Sequence, residues 1–128
     1  MKIEWVGRAV VLAIHEEQLA EHGGAPGLRD AGLLDSALQR PRDRAAYGKA
    51  DLARLAAATA YGIVANHPFV DGNKRVAWVV MRTFLLLNGH DLEAPADARV
   101  LAMLRLAAGE TAEEDFAEWL REHLVATR

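Results

Sequence analysis

The sequence predicts an all-α fold, and three observations carry that prediction. The 128 residues include 25 Ala and 17 Leu against 10 Val and 3 Ile, a bias toward side chains that lose little freedom in a helix. Gly and Pro cluster, dividing the chain into segments of helical length. Within those segments apolar residues recur at three- and four-residue spacing. At roughly 100 to 200 residues per domain, the length reads as one domain, 1–128. A composition of 52% hydrophobic and 26% charged residues with net charge −3 supplies a core and is unlike a disordered tail.

The elements follow in order. Lys2 to Val6 reads as a short extended piece. Gly7 to about Ala20 reads as the first helix, with Val10, Val11 and Ile14 on one face, ended by the loop Gly23-Gly24-Ala25-Pro26-Gly27. Asp30 caps a short helix carrying Leu33, Leu34, Ala37 and Leu38, which Pro41 should stop. Asp51 opens a helix from Leu52 to about Ala65 whose Ala-rich faces suit close helix contact. After a polar loop from His67 to Asn73, Lys74 to Asn88 is apolar nearly all round and reads as a buried central helix, stopped at Asn88-Gly89. Asp97 to Ala108 is the fifth helix, with Val100, Leu101 and Leu104 inward and Gly109 as its stop. Thr111 and Glu114 make a capping-box pattern before a sixth, with Phe116, Trp119, Leu120 and Leu124 facing inward. The expectation is a bundle of about six helices with little or no sheet.

Several function classes are excluded. With no Cys there is no disulfide framework, thiolate metal site or cysteine nucleophile. The longest apolar run, Val76 to Leu87, contains Arg82 and falls well short of the ~20 residues needed to span a bilayer. The N-terminus lacks the pattern of a signal peptide, so the chain reads as cytoplasmic. A pI near 5.9 gives no overall basic field for nucleic acid.

Chemistry concentrates in His67-Pro68-Phe69-Val70-Asp71-Gly72-Asn73-Lys74-Arg75. A helix N-terminus presents unpaired N–H groups and partial positive charge, so Gly72, Asn73 and Lys74 could form an anion cradle. Asp71 is a hard oxygen ligand of the kind that holds Mg²⁺ together with substrate phosphates. Lys74 offers a point charge and Arg75 a bidentate fork. His67 supplies an imidazole suited to accepting a proton near neutral pH. Pro68 should bias His67 toward extended backbone, and Phe69 and Val70 should pin the loop to the core. The competing reading is an ordinary Asp-Gly-Asn turn followed by a solvated Lys-Arg pair. Cations at a helix start oppose the dipole, however, and that placement favours a bound anion.

This segment resembles the His-Pro-Phe-x-(Asp/Glu)-Gly-Asn-(Gly/Lys)-Arg signature of the Fic/Doc superfamily, and Lys74 in place of the second motif Gly resembles its Doc branch. Leu12 to His15 and Gly23 to Leu38 are similar to the N-terminal half of Doc-type proteins. The resemblance implies a Fic fold and the toxin of a type II toxin-antitoxin module of the Phd/Doc kind. It implies an enzyme that uses ATP and Mg²⁺ to phosphorylate a Thr hydroxyl of elongation factor Tu, arresting translation. His67 would be the base, Asp71 the Mg²⁺ ligand, Gly72, Asn73 and Lys74 the phosphate cradle, and Arg75 a phosphate clamp, with Lys74 and Arg75 acting in transfer. Two further readings compete: a Fic-type AMP transferase, for which Gly is expected at position 74, and an inactive relative that acts only by binding its antitoxin.

Val76, where Thr is common, and Trp78 and Val79 depart from relatives near the motif. The family's self-inhibitory motif is absent, since Thr111 is followed by Asp115 and Phe116, so the resemblance implies control by a separate Phd-like antitoxin whose disordered segment folds on binding. His15, His22, His90 and His123 have no ligand spacing and read as structural or solvated. Arg29-Asp30 reads as a helix cap or a target-docking pair. Arg40, Arg42, Arg44, Lys49 and Arg54 read as solvated surface or a contact for an acidic target, and Trp5, Trp78 and Trp119 as core.

Overall fold

A computed structural model describes residues 2–127. Among them are six helices, α1 (Arg8–His22), α2 (Ala31–Tyr47), α3 (Leu52–Asn66), α4 (Asn73–Leu87), α5 (Ala96–Ala107) and α6 (Glu113–His123), with two short strands, β1 (His90–Leu92) and β2 (Leu124–Ala126). The all-α class holds. The core gathers on α3 and α4. On α4, Val76, Ala77, Val80, Met81, Phe84 and Leu85 are buried. Helix α3 is enclosed still further, packing against α2, α4, α5 and α6 through an almost continuous run of buried small residues from Ala53 to Ala60. Ala side chains let helix axes approach closely, so the Ala excess of the composition sits where four neighbours must share one helix.

Helix α2 is longer than expected. Pro41 lies inside it, buried, and the helix continues to Tyr47. An interior proline removes a hydrogen bond and costs about 3 kcal/mol, but tertiary contacts beyond it compensate. Arg40 and Arg44 both bind the Glu113 carboxylate at the start of α6. The Ala37 carbonyl, which Pro41 cannot bond, faces Gly62 of α3, where an added Cβ would lie 2.9 Å from it. That close approach needs glycine.

Helix α6 also begins differently. Its N-cap is Ala112 and no side chain caps it, so the Thr111/Glu114 box does not form. Glu113, Glu114 and Asp115 in the first turn satisfy the helix dipole instead. Leu124 belongs to β2, which pairs antiparallel with β1 through His90↔Ala126, Asp91↔Val125 and Leu92↔Leu124. The segment before α1 forms no strand. The Asn88 side chain clasps its Glu4 backbone, accepting from the N–H at 2.9 Å and donating to the carbonyl at 2.9 Å. No described helix is long and apolar enough to cross a membrane.

Candidate active site

The loop between α3 and α4 is anchored from several directions. Phe69 is fully buried and stacks on the His15 ring of α1, with centroids 3.9 Å apart. The His15 Nε2 lies 3.0 Å from the Asp71 carbonyl oxygen, so His15 is a buried loop support. Asn73 closes the loop from below: its Oδ1 accepts the Phe69 N–H and its Nδ2 donates to the Phe69 carbonyl, both at 3.0 Å. Its side chain is therefore engaged and buried, and only its backbone N–H remains for a cradle. Val70, expected as a second anchor, is half-exposed. It joins the loop through its N–H, which donates to the Gly27 carbonyl.

His67 was expected in extended backbone. It adopts left-handed φ 51 and ψ 55 as the C-cap of α3, its N–H bonding to Ile63 O. Such backbone is sparsely populated for residues other than Gly. Arg29 holds it there, donating from Nε to the His67 carbonyl at 2.7 Å and from a terminal nitrogen to Asn66 O at 2.9 Å. Asp30 caps α2, accepting the Leu33 N–H. The cap reading thus holds for Asp30, while Arg29 secures the end of α3. The turn swings the imidazole out to the surface, where it makes no hydrogen bond to described residues.

The Gly-rich loop contacts the motif directly. Leu28 and Phe69 form an isolated antiparallel bridge. The Asp71 carboxylate accepts the Ala25 N–H at 3.1 Å through Oδ2 and the Gly72 N–H at 2.8 Å through Oδ1. These donors, Ala25 first, hold the Asp71 carboxyl below the ordinary carboxylate range, with smaller help from Arg75 and His15. Gly24 is required beside it, because its φ is +124 and a Cβ would fall 2.9 Å from Asp71 Oδ2. The loop thus aims an exposed, ionised carboxylate, a relation the turn chemistry of residues 23–27 did not reveal.

Gly72, in left-handed conformation, precedes α4 as its N-cap and offers no capping side chain. The N–H groups of Asn73, Lys74 and Arg75 point out of the first turn without intrahelical acceptors. Lys74 and Arg75 are exposed and have no carboxylate partner among the described residues. With His67, Asp71 and Gly72 they line a cleft of about 790 Å³, within the range of small-molecule sites. Its opposite wall is α5, contributing Arg99, Val100, Met103 and Leu104; Val100, Leu101 and Leu104, which read as inward, are exposed instead, because no described helix covers that face of α5. Trp78, read from sequence as core, also lines the cleft. All the sequence-predicted site residues therefore converge on one cleft; the α5 wall was missed, because nothing local in residues 96–107 relates them to a motif over 20 positions earlier.

The donor set suits one divalent cation shared with phosphate. Asp71 keeps a lone pair on each oxygen beyond its two backbone bonds, and Mg²⁺ is commonly held by one or two carboxylates plus substrate oxygens. No group of three or more His, Cys, Asp or Glu side chains placed to hold a metal occurs among the described residues.

The chain belongs to the Fic/DOC family, which it matches over residues 5–85. Among curated proteins it is similar to "Toxin Doc" of Mycolicibacterium smegmatis, 46% identical over 78 residues, 59% of each chain. It is also similar to "Protein kinase doc" of Escherichia phage P1, 32% identical over 114 residues, 87% of this chain and 88% of the other.

Proposed function

We propose that the chain is a Doc-type toxin that binds ATP in this cleft and transfers its terminal phosphoryl group to a protein hydroxyl, a Thr of elongation factor Tu. One observation carries the reading: the start of α4, with three acceptor-less N–H groups and with Lys74 and Arg75 unpaired among the described residues, lines the same cleft as His67 and the aimed carboxylate of Asp71. The names of the two relatives support the toxin and kinase assignments. In the reaction a bond forms from the hydroxyl oxygen to the terminal phosphorus, the bond to the ADP oxygen breaks, and the hydroxyl proton passes to His67. Lys74, Arg75 and the α4 N–H groups neutralise charge on the transferred group. Asp71 would hold Mg²⁺, which would supply further neutralisation of phosphate charge. Lys74 fills space that Gly would leave open and adds a cation, which favours phosphoryl over AMP transfer.

Control falls to a separate antitoxin segment that folds onto the chain in the cytoplasm. On α5, Val100 is 60% and Leu104 48% exposed on the cleft wall, an apolar face of the kind an amphipathic helix covers. The decisive experiment incubates the protein and elongation factor Tu with Mg²⁺ and ATP labelled at either the γ- or α-phosphate. Label from the γ position alone is expected. Label from the α position alone would identify an AMP transferase, and none from either a binding protein.

A further inference from the structure

Arg99 sits in the first turn of α5, where a cation opposes the helix dipole. Asp91 feels its charge, but no described carboxylate pairs with it. Asp97 turns back to accept the Ala98 N–H at 2.9 Å, and Asp91 is forked onto Arg82 at 2.9 and 3.0 Å. Arg99 makes no hydrogen bond or ion pair; its guanidinium instead lies over the Trp78 ring, 6.0 Å from the centroid. Trp78 is one helical turn beyond Lys74 and three residues beyond Arg75, so the three lie on one side of α4. Arg99 and this side of α4 line the same cleft. A half-buried cation without an ion-paired carboxylate, held over an aromatic face and sharing a cleft with two more cations, is suited to receive an anion.

We propose that Arg99, braced on Trp78, is a third cation for the phosphate chain of the bound nucleotide, contributed from the α5 wall. The proposal rests on the reading of the cleft as a nucleotide site and adds a binding residue outside the motif. A guanidinium fork takes two phosphate oxygens at once, so its effect should grow with the number of phosphates. The wall residues Val100 and Leu104 place apolar surface beside it for the rest of the nucleotide.

The test is calorimetric titration of the full chain with adenosine, AMP, ADP and ATP. Wild-type affinity should climb along that series. Arg99→Gln should weaken ATP binding by about tenfold or more and leave adenosine within about twofold. Arg99→Lys, which keeps the charge and the stem over Trp78, should recover much of the ATP affinity and guards against a folding defect. Arg105→Gln, the same charge change in the last turn of α5 away from the cleft, should bind as wild type. Equal losses for adenosine and ATP, or an equal loss in Arg105→Gln, would overturn the proposal. If wild type binds ATP and Arg99→Gln matches it, Arg99 alone is refuted; if wild type binds no nucleotide, the reading of the cleft fails and takes this one with it.

Discussion

Arg40, Arg42 and Arg44 on α2 and Lys74, Arg75 and Arg99 around the cleft are two cationic clusters on one mildly acidic chain, and they differ in what surrounds them. Every cation of the first cluster has a partner. Arg40 and Arg44 grip the Glu113 carboxylate, Arg40 also lies 4.7 Å from the Tyr61 ring centroid, and Arg42 covers Trp5 at 5.2 Å. In the second cluster none has a carboxylate partner among the described residues, and only Arg99 has an aromatic one. The first cluster fastens α2 to α6 across a Pro-containing helix. The second is placed at helix starts, where its charge is disfavoured, and under the proposed function it meets the phosphates of a nucleotide. Charge density alone would not separate the two; whether a carboxylate is ion-paired within the cluster does.

The contrast can be broken first at the cleft. Lys74→Ala should lower phosphoryl transfer to elongation factor Tu by about 100-fold or more, with the thermal midpoint little changed because Lys74 is exposed and has no ion pair among the described residues. His67→Asn should lose as much transfer while keeping a side chain that tolerates left-handed backbone. A fall in melting temperature matching the loss of activity would remove the distinction between the clusters.

Glu113→Ala tests the other side. It strands two guanidinium groups beside a site where the carboxylate is only 12% exposed, and losing charge-assisted bonds of this kind costs about 1.5–3 kcal/mol. Urea unfolding should show that loss, whereas nucleotide affinity in the folded protein should stay as wild type. An unaltered urea midpoint would show that the α2 cluster is ornamental.

Gly24→Ala sharpens the comparison between the motif and the loop that aims it. The φ of +124 and the 2.9 Å approach to Asp71 Oδ2 should cost about 1–3 kcal/mol and push the carboxylate off the Ala25 N–H. The Asp71 carboxyl should then titrate closer to its ordinary range, seen by NMR, and Mg²⁺-dependent ATP binding should weaken.

The smallest effect concerns the exposed pairs. Arg121 holds the Asp51 carboxyl, and Arg82 the Asp91 carboxyl, below the ordinary value of 3.8. Each pair's contribution is complete above the unfolded-state pKa and is lost as pH falls through the lower folded value. Melting temperature should therefore be flat above about pH 5 and decline below about pH 4. Asp51→Asn, which retains a capping oxygen, should reduce that decline by less than about 1 kcal/mol, since both partners are solvent-exposed.

Much of this site was legible because its chemistry is contiguous. His67, Asp71, Gly72, Lys74 and Arg75 lie within nine residues, and a loop followed by a helix start brings them together without help from the rest of the chain. Roles set by distant partners were not legible. The backbone N–H of Asn73 is legible as part of a cradle, but the closure of its side-chain amide on Phe69 is not. His67 looked extended because Pro68 follows it, yet the end of α3 and the Arg29 bonds select left-handed backbone. Pro41 looked like a stop because its local cost is real, and contacts 70 residues away outweigh it.

By itself the sequence determined the helical class, the order of the six helices and the location of the candidate site, since periodicity, Gly and Pro punctuation and a contiguous motif are local properties. Only the tertiary structure decided which cations have partners, that α5 closes the cleft, and that the Gly-rich loop aims Asp71. The physical reason is that hydrophobic periodicity states which face of a helix is buried without stating against what, so the counter-charges and walls of a site become known only when the faces meet.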